Sequence, residues 1–286
     1  GSDISSSPLN NGGLFILPPL NKGGIGGVES LASLQRLLEQ SIWLQSRLAA
    51  YQGLYFLKGR QEIIKTRLKR YQLAQSKFKK ALWAARIFSW LPFVRMMAVC
   101  NNLAWNNADS GSDIDFFVIT RHGRIFLVRG LMILMADMLR LRPREDDKKD
   151  KICLSFFISD QHLSLQKLAH PALGQTWPGD IYLNFWLDQL AIIFQEKEVY
   201  QNFIQANLWT RDLLPQQPFA QPGFRRTLSP SWSSRLIKSF FECLLSGFFG
   251  DLLENSFARY QQNKLPAILK NEINQGTNVI VSPRVL

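Results

Sequence analysis

The chain has 286 residues, 46% of them hydrophobic, enough to bury a substantial core in one large or two modest domains without disulfide staples. Against 22 Asp and Glu stand 34 Lys and Arg, a net charge of +12 that predicts attraction to polyanions: nucleic acid, nucleotide phosphates or an anionic membrane surface. Cys100, Cys153 and Cys243 are odd in number, far apart and without a CxxC pair; they argue against a zinc site and read as reduced core thiols of a cytoplasmic protein with no secretory signal.

Residues 1–27, rich in Gly, Ser, Pro and Asn, read as a flexible tail. Residues 28–93 form an N-terminal helical region. There Leu31, Leu34, Leu37, Leu38, Ile42, Leu44 and Leu48 recur at helical spacing, predicting an amphipathic helix that stops at Gly53. A second helix follows Gly59 and closes before Pro92. It carries Ile64, Leu68, Tyr71, Phe78 and Leu82 on one stripe, and Lys65, Lys69, Lys77 and Lys80 on what reads as a solvated face.

Residues 94–170 are the predicted core. Strands are expected at Val94 to Cys100, Asp115 to Thr120 and Ile152 to Ile158, with a helix from Arg124 to Leu141 and the charged loop RPREDDKKDK between the last two. Arg129 and Asp137 interrupt the apolar helix, and Lys238 and Glu242 interrupt a later one, so no membrane span is predicted. Residues 171–286 read as mainly helical. A helix runs from Asp180, its N-cap, to Gln195; a Pro-rich connector covers Leu214 to Pro222; a helix from Ser231 to Gln262 breaks near Gly247 to Gly250; a short strand covers Asn278 to Val281. Helices, then a small sheet, then helices predict an α+β fold. Trp43, Trp83, Trp90, Tyr182, Phe185 and Trp186 read as packing residues.

The chemistry concentrates in NNADSGSDIDFFVIT, Asn106 to Thr120. Side chains alternate along a strand, so Asp113 and Asp115 share a face where a polar turn gives way to the apolar run FFVI. Like charges so placed repel unless a cation neutralises them, and a hard divalent ion such as Mg²⁺, or Mn²⁺, takes carboxylate and phosphate oxygens together. Two such ions stabilise the attacking and leaving oxygens of a displacement at phosphorus. The plain alternative is an acidic turn capping a strand. Arg121, Arg124 and Arg129 follow closely enough to reach a phosphate, and Arg129, inside IFLVRGLMIL, needs a partner if buried.

Ser-Asp-Ile-Asp followed by apolar residues, after the strand VRMMAVC and a short turn, resembles the DNA polymerase beta-like nucleotidyltransferase superfamily. YFLKGR, KICLSFF and the C-terminal helical pattern look like those of bacterial and archaeal nucleotidyltransferase-domain proteins. The resemblance implies that Asp113 and Asp115 are catalytic and bind Mg²⁺, that Ser112 sits beside the triphosphate of ATP or another NTP, and that a nucleoside monophosphate moves to an acceptor hydroxyl. Two features depart from the pattern. Asn101 and Asn102 stand where the superfamily has Gly-Ser, although asparagine tolerates left-handed backbone and donates hydrogen bonds. The face of ICLSFFIS that carries Cys153, Ser155, Phe157 and Ser159 holds no third carboxylate, and Asp160 falls on the other face unless the strand bulges.

The expected function is a metal-dependent nucleotidyltransferase acting on a small molecule, a protein or an RNA end. The competing expectation is a degenerate descendant that binds RNA or a partner protein. A third, a membrane-surface protein, rests on charge and on LPFVRMM alone.

Overall fold

The computed structural model describes residues 36, 38–51, 54–144, 146–169, 180–196, 198–212, 227–263 and 279–281. The tail at 1–27, the start of the leucine-rich helix and the connector from Leu214 to Pro222 lie outside the described residues.

The N-terminal region differs from its sequence expectation. Residues 36 and 38–40 are helical, and after Ser41 a short helix covers Ile42–Arg47 (α1), capped by the Ser41 hydroxyl, which accepts from the Leu44 N–H at 3.3 Å. Leu48–Tyr51 (β1) and Leu54–Leu57 (β2) then pair as an antiparallel hairpin, Leu48 opposite Leu57 and Tyr51 opposite Leu54. The leucines fit a helical period, but two apolar runs separated by Gln52-Gly53 also fit a tight hairpin, and cross-strand pairing wins.

Glu62–Phe88 (α2) is the long helix expected after Gly59. Ala74, Phe78, Ala81, Ala85 and Phe88 form its buried stripe, at the three- and four-residue steps of one helical face. Behind it lies a five-stranded mixed sheet of order β6-β3-β4-β5-β7: Val94–Val99 (β3), Ile114–Thr120 (β4), Ile152–Ser159 (β5), Ala191–Gln195 (β6) and Val279–Val281 (β7). The fold is thus mixed α+β, as expected. β4 and β5 run parallel, joined through helix Ile125–Met138 (α4), and the other pairings are antiparallel. The two outer strands both come from residues 171–286, so the sheet extends beyond the 94–170 core read from the sequence.

Central position explains the composition of β4. Phe116, Phe117, Val118 and Ile119 are all fully buried because both faces of the sheet are covered. Phe116 and Val118 pack toward α2 and α4; Phe117 and Ile119 pack toward Ile181–Asp188 (α5) and Val199–Ala206 (α6) through Trp186, Leu187 and Phe203. The helix expected from Asp180 to Gln195 is therefore half right. Asp180 does cap it, accepting from the Leu183 N–H at 2.9 Å, but after Asp188 the β-rich AIIFQ leaves the helix and pairs with β3. Of the expected packing aromatics only Trp186 is buried; Trp43, Trp83, Trp90, Tyr182 and Phe185 keep much of their surface in solvent.

Trp232–Leu244 (α7) and Phe248–Gln262 (α8) break where Gly247 and Gly250 predict. α8 clamps α4. The Glu254 carboxylate accepts from the Phe126 and Leu127 N–H groups at 3.0 and 2.7 Å, taking up two of the donors that a helix start leaves free. The helices approach so closely that a Cβ on Gly130 would collide with the Phe257 ring. Gly130→Val is expected to cost about 1–3 kcal/mol, read as a lower urea midpoint, because rigid helix backbone leaves the ring nowhere to retreat. An unchanged midpoint would show that α8 is not held there.

No helix among the described residues is long and apolar enough to cross a membrane.

Candidate metal centre at the rim of the sheet

At the end of β3 the chain must turn sharply to re-enter the sheet as β4. Asn101 makes that turn with φ at +57°, the left-handed conformation for which asparagine is suited, and Asn101–Ala104 (α3) forms a single short helical turn. The following loop is fixed from inside by Asp109. Its carboxylate accepts from the Gly111 and Ser112 N–H groups at 2.9 and 2.7 Å, while the Ser112 hydroxyl donates to the Asp109 carbonyl at 3.1 Å.

The loop is also held from behind by α2. Arg67 donates to the carbonyls of Trp105 and Asn106, Arg70 to the Asn107 side chain at 3.3 Å, and Lys77 to the Ser112 carbonyl at 2.7 Å and the Asp150 carboxylate. Lys77, expected on a solvated face, is only 2% exposed. Helical spacing gives three cations and a solvated stripe the same appearance in sequence; only the position of the loop across from them separates the two. Lys77→Met is expected to lower stability by about 2 kcal/mol, since it strips a buried carbonyl and a half-buried carboxylate of their donor. It should weaken divalent-ion binding as well; a variant with wild-type stability and metal affinity would contradict that anchoring role.

On this frame Asp113 and Asp115 do share a face, and the parallel register sets Cys153 of β5 directly beside Asp115. One oxygen from each carboxylate and the Cys153 sulfur all lie within 4.8 Å of one another. The Asp115 carboxyl is pushed up to about 6, first by burial and then by the neighbouring Asp113 charge; hydrogen bonds from Asn101 and Cys153 oppose the rise. The Asn101 side-chain oxygen in turn accepts from the Trp186 indole at 2.8 Å, which fixes the amide's orientation. Burial, with help from Asp115, Cys153 and Asp113, also pushes the Cys100 thiol well up, so it is no competing anion.

These donors fit a divalent cation. Ligand distances of about 2.0–2.3 Å place two donors on one ion at separations up to about 4.5 Å, so small side-chain adjustments close the cluster. Two carboxylates suit Mg²⁺ or Mn²⁺, and the sulfur adds a softer ligand. Asp113 and Asp115 make no ion pair with any described lysine or arginine.

The other expected site residues divide. Asn101 and Ser112 border the cluster, but Ser112 spends its hydroxyl on Asp109. Asn102 is exposed on α3, and its side chain makes no hydrogen bond among the described residues. Arg124 lies beyond the far end of β4, where it donates to the Leu245 and Ser246 carbonyls and pairs with Asp251; it secures the α7–α8 junction. Arg129, buried as expected, finds its partners on the α4 side of the sheet, the Leu154 carbonyl and the Gln261 side chain at 2.6 Å. The structure therefore brings neither arginine to the carboxylates.

Asp160 is likewise remote. β5 has one extra residue between the partners of Asp115 and Phe117, and this bulge returns Asp160 to the parity of Asp115. Thr120 pairs with Ser159, however, so Asp160 sits six strand positions from Asp115, about 20 Å at strand rise, and there accepts from the His122 N–H. Cys153, read from the sequence as a core thiol, is half-buried in the cluster, and Cys243 is exposed. Its role was hidden because it follows from the β4–β5 register, which sequence spacing does not encode.

The chain matches no protein-family model, no curated protein and no solved structure.

Proposed function

We propose that the chain is a cytoplasmic, metal-dependent nucleotidyltransferase that moves a nucleoside monophosphate from an NTP to the hydroxyl of a small molecule, a protein or an RNA end. The single observation that carries this reading is the meeting of Asp113 and Asp115 at the rim of a buried central strand, with no cation of the protein's own to balance them among the described residues. The resemblance of Ser-Asp-Ile-Asp and its upstream turn to the polymerase beta-like superfamily supports it.

Asp113 and Asp115 would hold the ion, with Cys153 beside them as a third potential ligand. When bound, Mg²⁺ supplies charge neutralisation for the polyphosphate and the leaving oxygen. Asn101 orients Asp115, and Asp109 with Lys77 keeps the loop rigid, so that little reorganisation is required as charge develops. Asn102 is exposed and has amide donors to offer a phosphate oxygen.

One observation favours the second reading, a degenerate binding module. The third member of the cluster is a thiol where the superfamily has a carboxylate base, and Asp160 is too far away to replace it. The two readings separate in a screen of all four labelled NTPs with Mg²⁺ or Mn²⁺, with and without cell extract. Pyrophosphate release that EDTA stops and Asp113→Asn removes supports the enzyme. NTP binding without turnover under every condition supports the module.

A further inference from the structure

Between α4 and β5 lies a cleft of about 370 Å³ whose lining, among the described residues, is charged: Asp137, Arg140, Arg142, Arg144, Asp147 and Lys151. That volume is in the range of small-ligand sites, about 300–1,000 Å³, yet no described lining residue is an apolar one. Both carboxylates are already committed. Asp137 pairs with Arg142 at 2.8 Å and Asp147 with Lys151 at 2.9 Å, which leaves Arg140 and Arg144 without an acidic partner among the described residues.

The cleft is also built. Arg144 and Asp147 exchange two backbone hydrogen bonds of 3.1 Å, Lys151 donates to the Arg140 carbonyl at 2.9 Å, and the Ile152 N–H donates to the Leu141 carbonyl at 2.7 Å. Arg140 terminates α4 at φ +55°, with the Leu141 N–H reaching the Ala136 carbonyl, the helix-ending geometry in which glycine is usual. An arginine there accepts left-handed strain that glycine would avoid. Lys151 already places one cation just past the C-terminus of α4, and three guanidinium groups add to it. Arg142 is close enough to help hold the buried Arg129 below its ordinary range, after burial itself, so positive charge accumulates at this edge.

We propose that this cleft binds a phosphate-bearing ligand, with Arg140 and Arg144 as the gripping residues and Arg142 and Lys151 held in place by Asp137 and Asp147. Planar guanidinium forks match phosphate oxygens, and clustered phosphates supply counter-charge to Arg140 and Arg144. The site is separate from the carboxylate cluster but lies along the same sheet rim. The Lys151 carbonyl accepts from the Ile114 N–H at 2.7 Å, and the Asp150 N–H donates to the Ser112 carbonyl at 3.2 Å. It requires no metal and goes beyond the nucleotidyltransferase reading, on which it does not depend.

The test is calorimetry on the full chain in EDTA with inorganic tripolyphosphate, ATP and a 5′-phosphorylated single-stranded RNA oligonucleotide. Binding of at least one probe is expected, weakened about tenfold or more in R140Q/R144Q, since each lost charged hydrogen bond carries roughly a tenfold effect. Arg140→Gly is the second variant. It should melt above the wild type, because glycine suits the left-handed position, and still bind more weakly. Asp113→Ala with Asp115→Ala should leave binding in EDTA undiminished, which keeps a failure here distinct from a failure of the metal reading. Preference for RNA over tripolyphosphate and ATP would assign the ligand to nucleic acid, and the reverse to free nucleotide. Absence of binding to all three probes overturns the proposal, as does an equal loss in Lys65→Gln with Lys69→Gln on α2, which would show attraction by net charge alone.

Discussion

Asp113→Ala combined with Asp115→Ala is expected to abolish metal-dependent nucleotide binding and to lower any nucleotidyl transfer by about 10³-fold or more, the scale set by losing the charge stabilisation of a phosphoryl-type reaction. The same double variant should fold and, without metal, should melt higher than the wild type. Two carboxylates crowded together, one of them largely buried, repel in the unliganded protein, and their removal relieves that repulsion. Calorimetry with Mg²⁺ and each NTP, beside thermal melting in EDTA, reads both effects. A double variant whose nucleotide binding still rises with Mg²⁺ as the wild type's does would count decisively against the site, and one that melts lower in EDTA would show the pair to be structural.

The second large effect is expected on stability, at Arg95 in β3. Its guanidinium forks onto the Glu242 carboxylate at 2.8 and 3.0 Å and also reaches Glu196 at 2.9 Å; Lys238 bridges Glu196 and the Val94 carbonyl. This network ties α7 to the sheet between β3 and β6. Arg95→Leu leaves two carboxylates in a mostly buried position with Lys238 as their remaining cation, at an expected cost of about 3–5 kcal/mol. The pH response should change with it. Burial alone would raise the Glu242 carboxyl, but hydrogen bonds from Arg95 and the Phe93 N–H, with the Arg95 and Lys238 charges, hold it below its ordinary 4.5. A carboxyl depressed on folding contributes stability above its unfolded value, and that contribution is lost as pH falls through the folded value. Wild-type stability should therefore drop as the solution is acidified below about 4.5, and that slope should flatten in Arg95→Leu. Urea unfolding of the two proteins between pH 3 and 7 measures both; parallel pH profiles would exclude Glu242 as the titrating group.

Much of the core was legible because its signals are local. The apolar runs of β3, β4 and β5, the break at Gly247 to Gly250 and the Asp180 cap are carried by residues within a few positions of one another. So was the pair of aspartates, since alternation alone puts Asp113 and Asp115 on one face. What escaped depends on partners far along the chain. AIIFQ became an edge strand only because β3 offered it a free flank, and LAAY left its helix because LYFL pairs with it. Cys153 joined the carboxylates through a register, and a bulge after it reversed the parity by which Asp160 had been judged. The cations went wrong for one shared reason: Lys and Arg look alike in a sequence whether solvated or buried. Arg124 and Arg129 proved to be ties to α7 and α8, whereas Lys77, read as part of a solvated basic face, holds the loop that carries the acids together with Arg67 and Arg70.

The most direct measurement is a crystal of the chain grown with Mn²⁺ and a non-hydrolysable NTP, examined by anomalous scattering. A manganese peak is expected between Asp113 and Asp115, with phosphate oxygens completing its shell and Cys153 alongside. Manganese bound elsewhere, or the two carboxylates turned apart with the nucleotide ordered away from them, would contradict it.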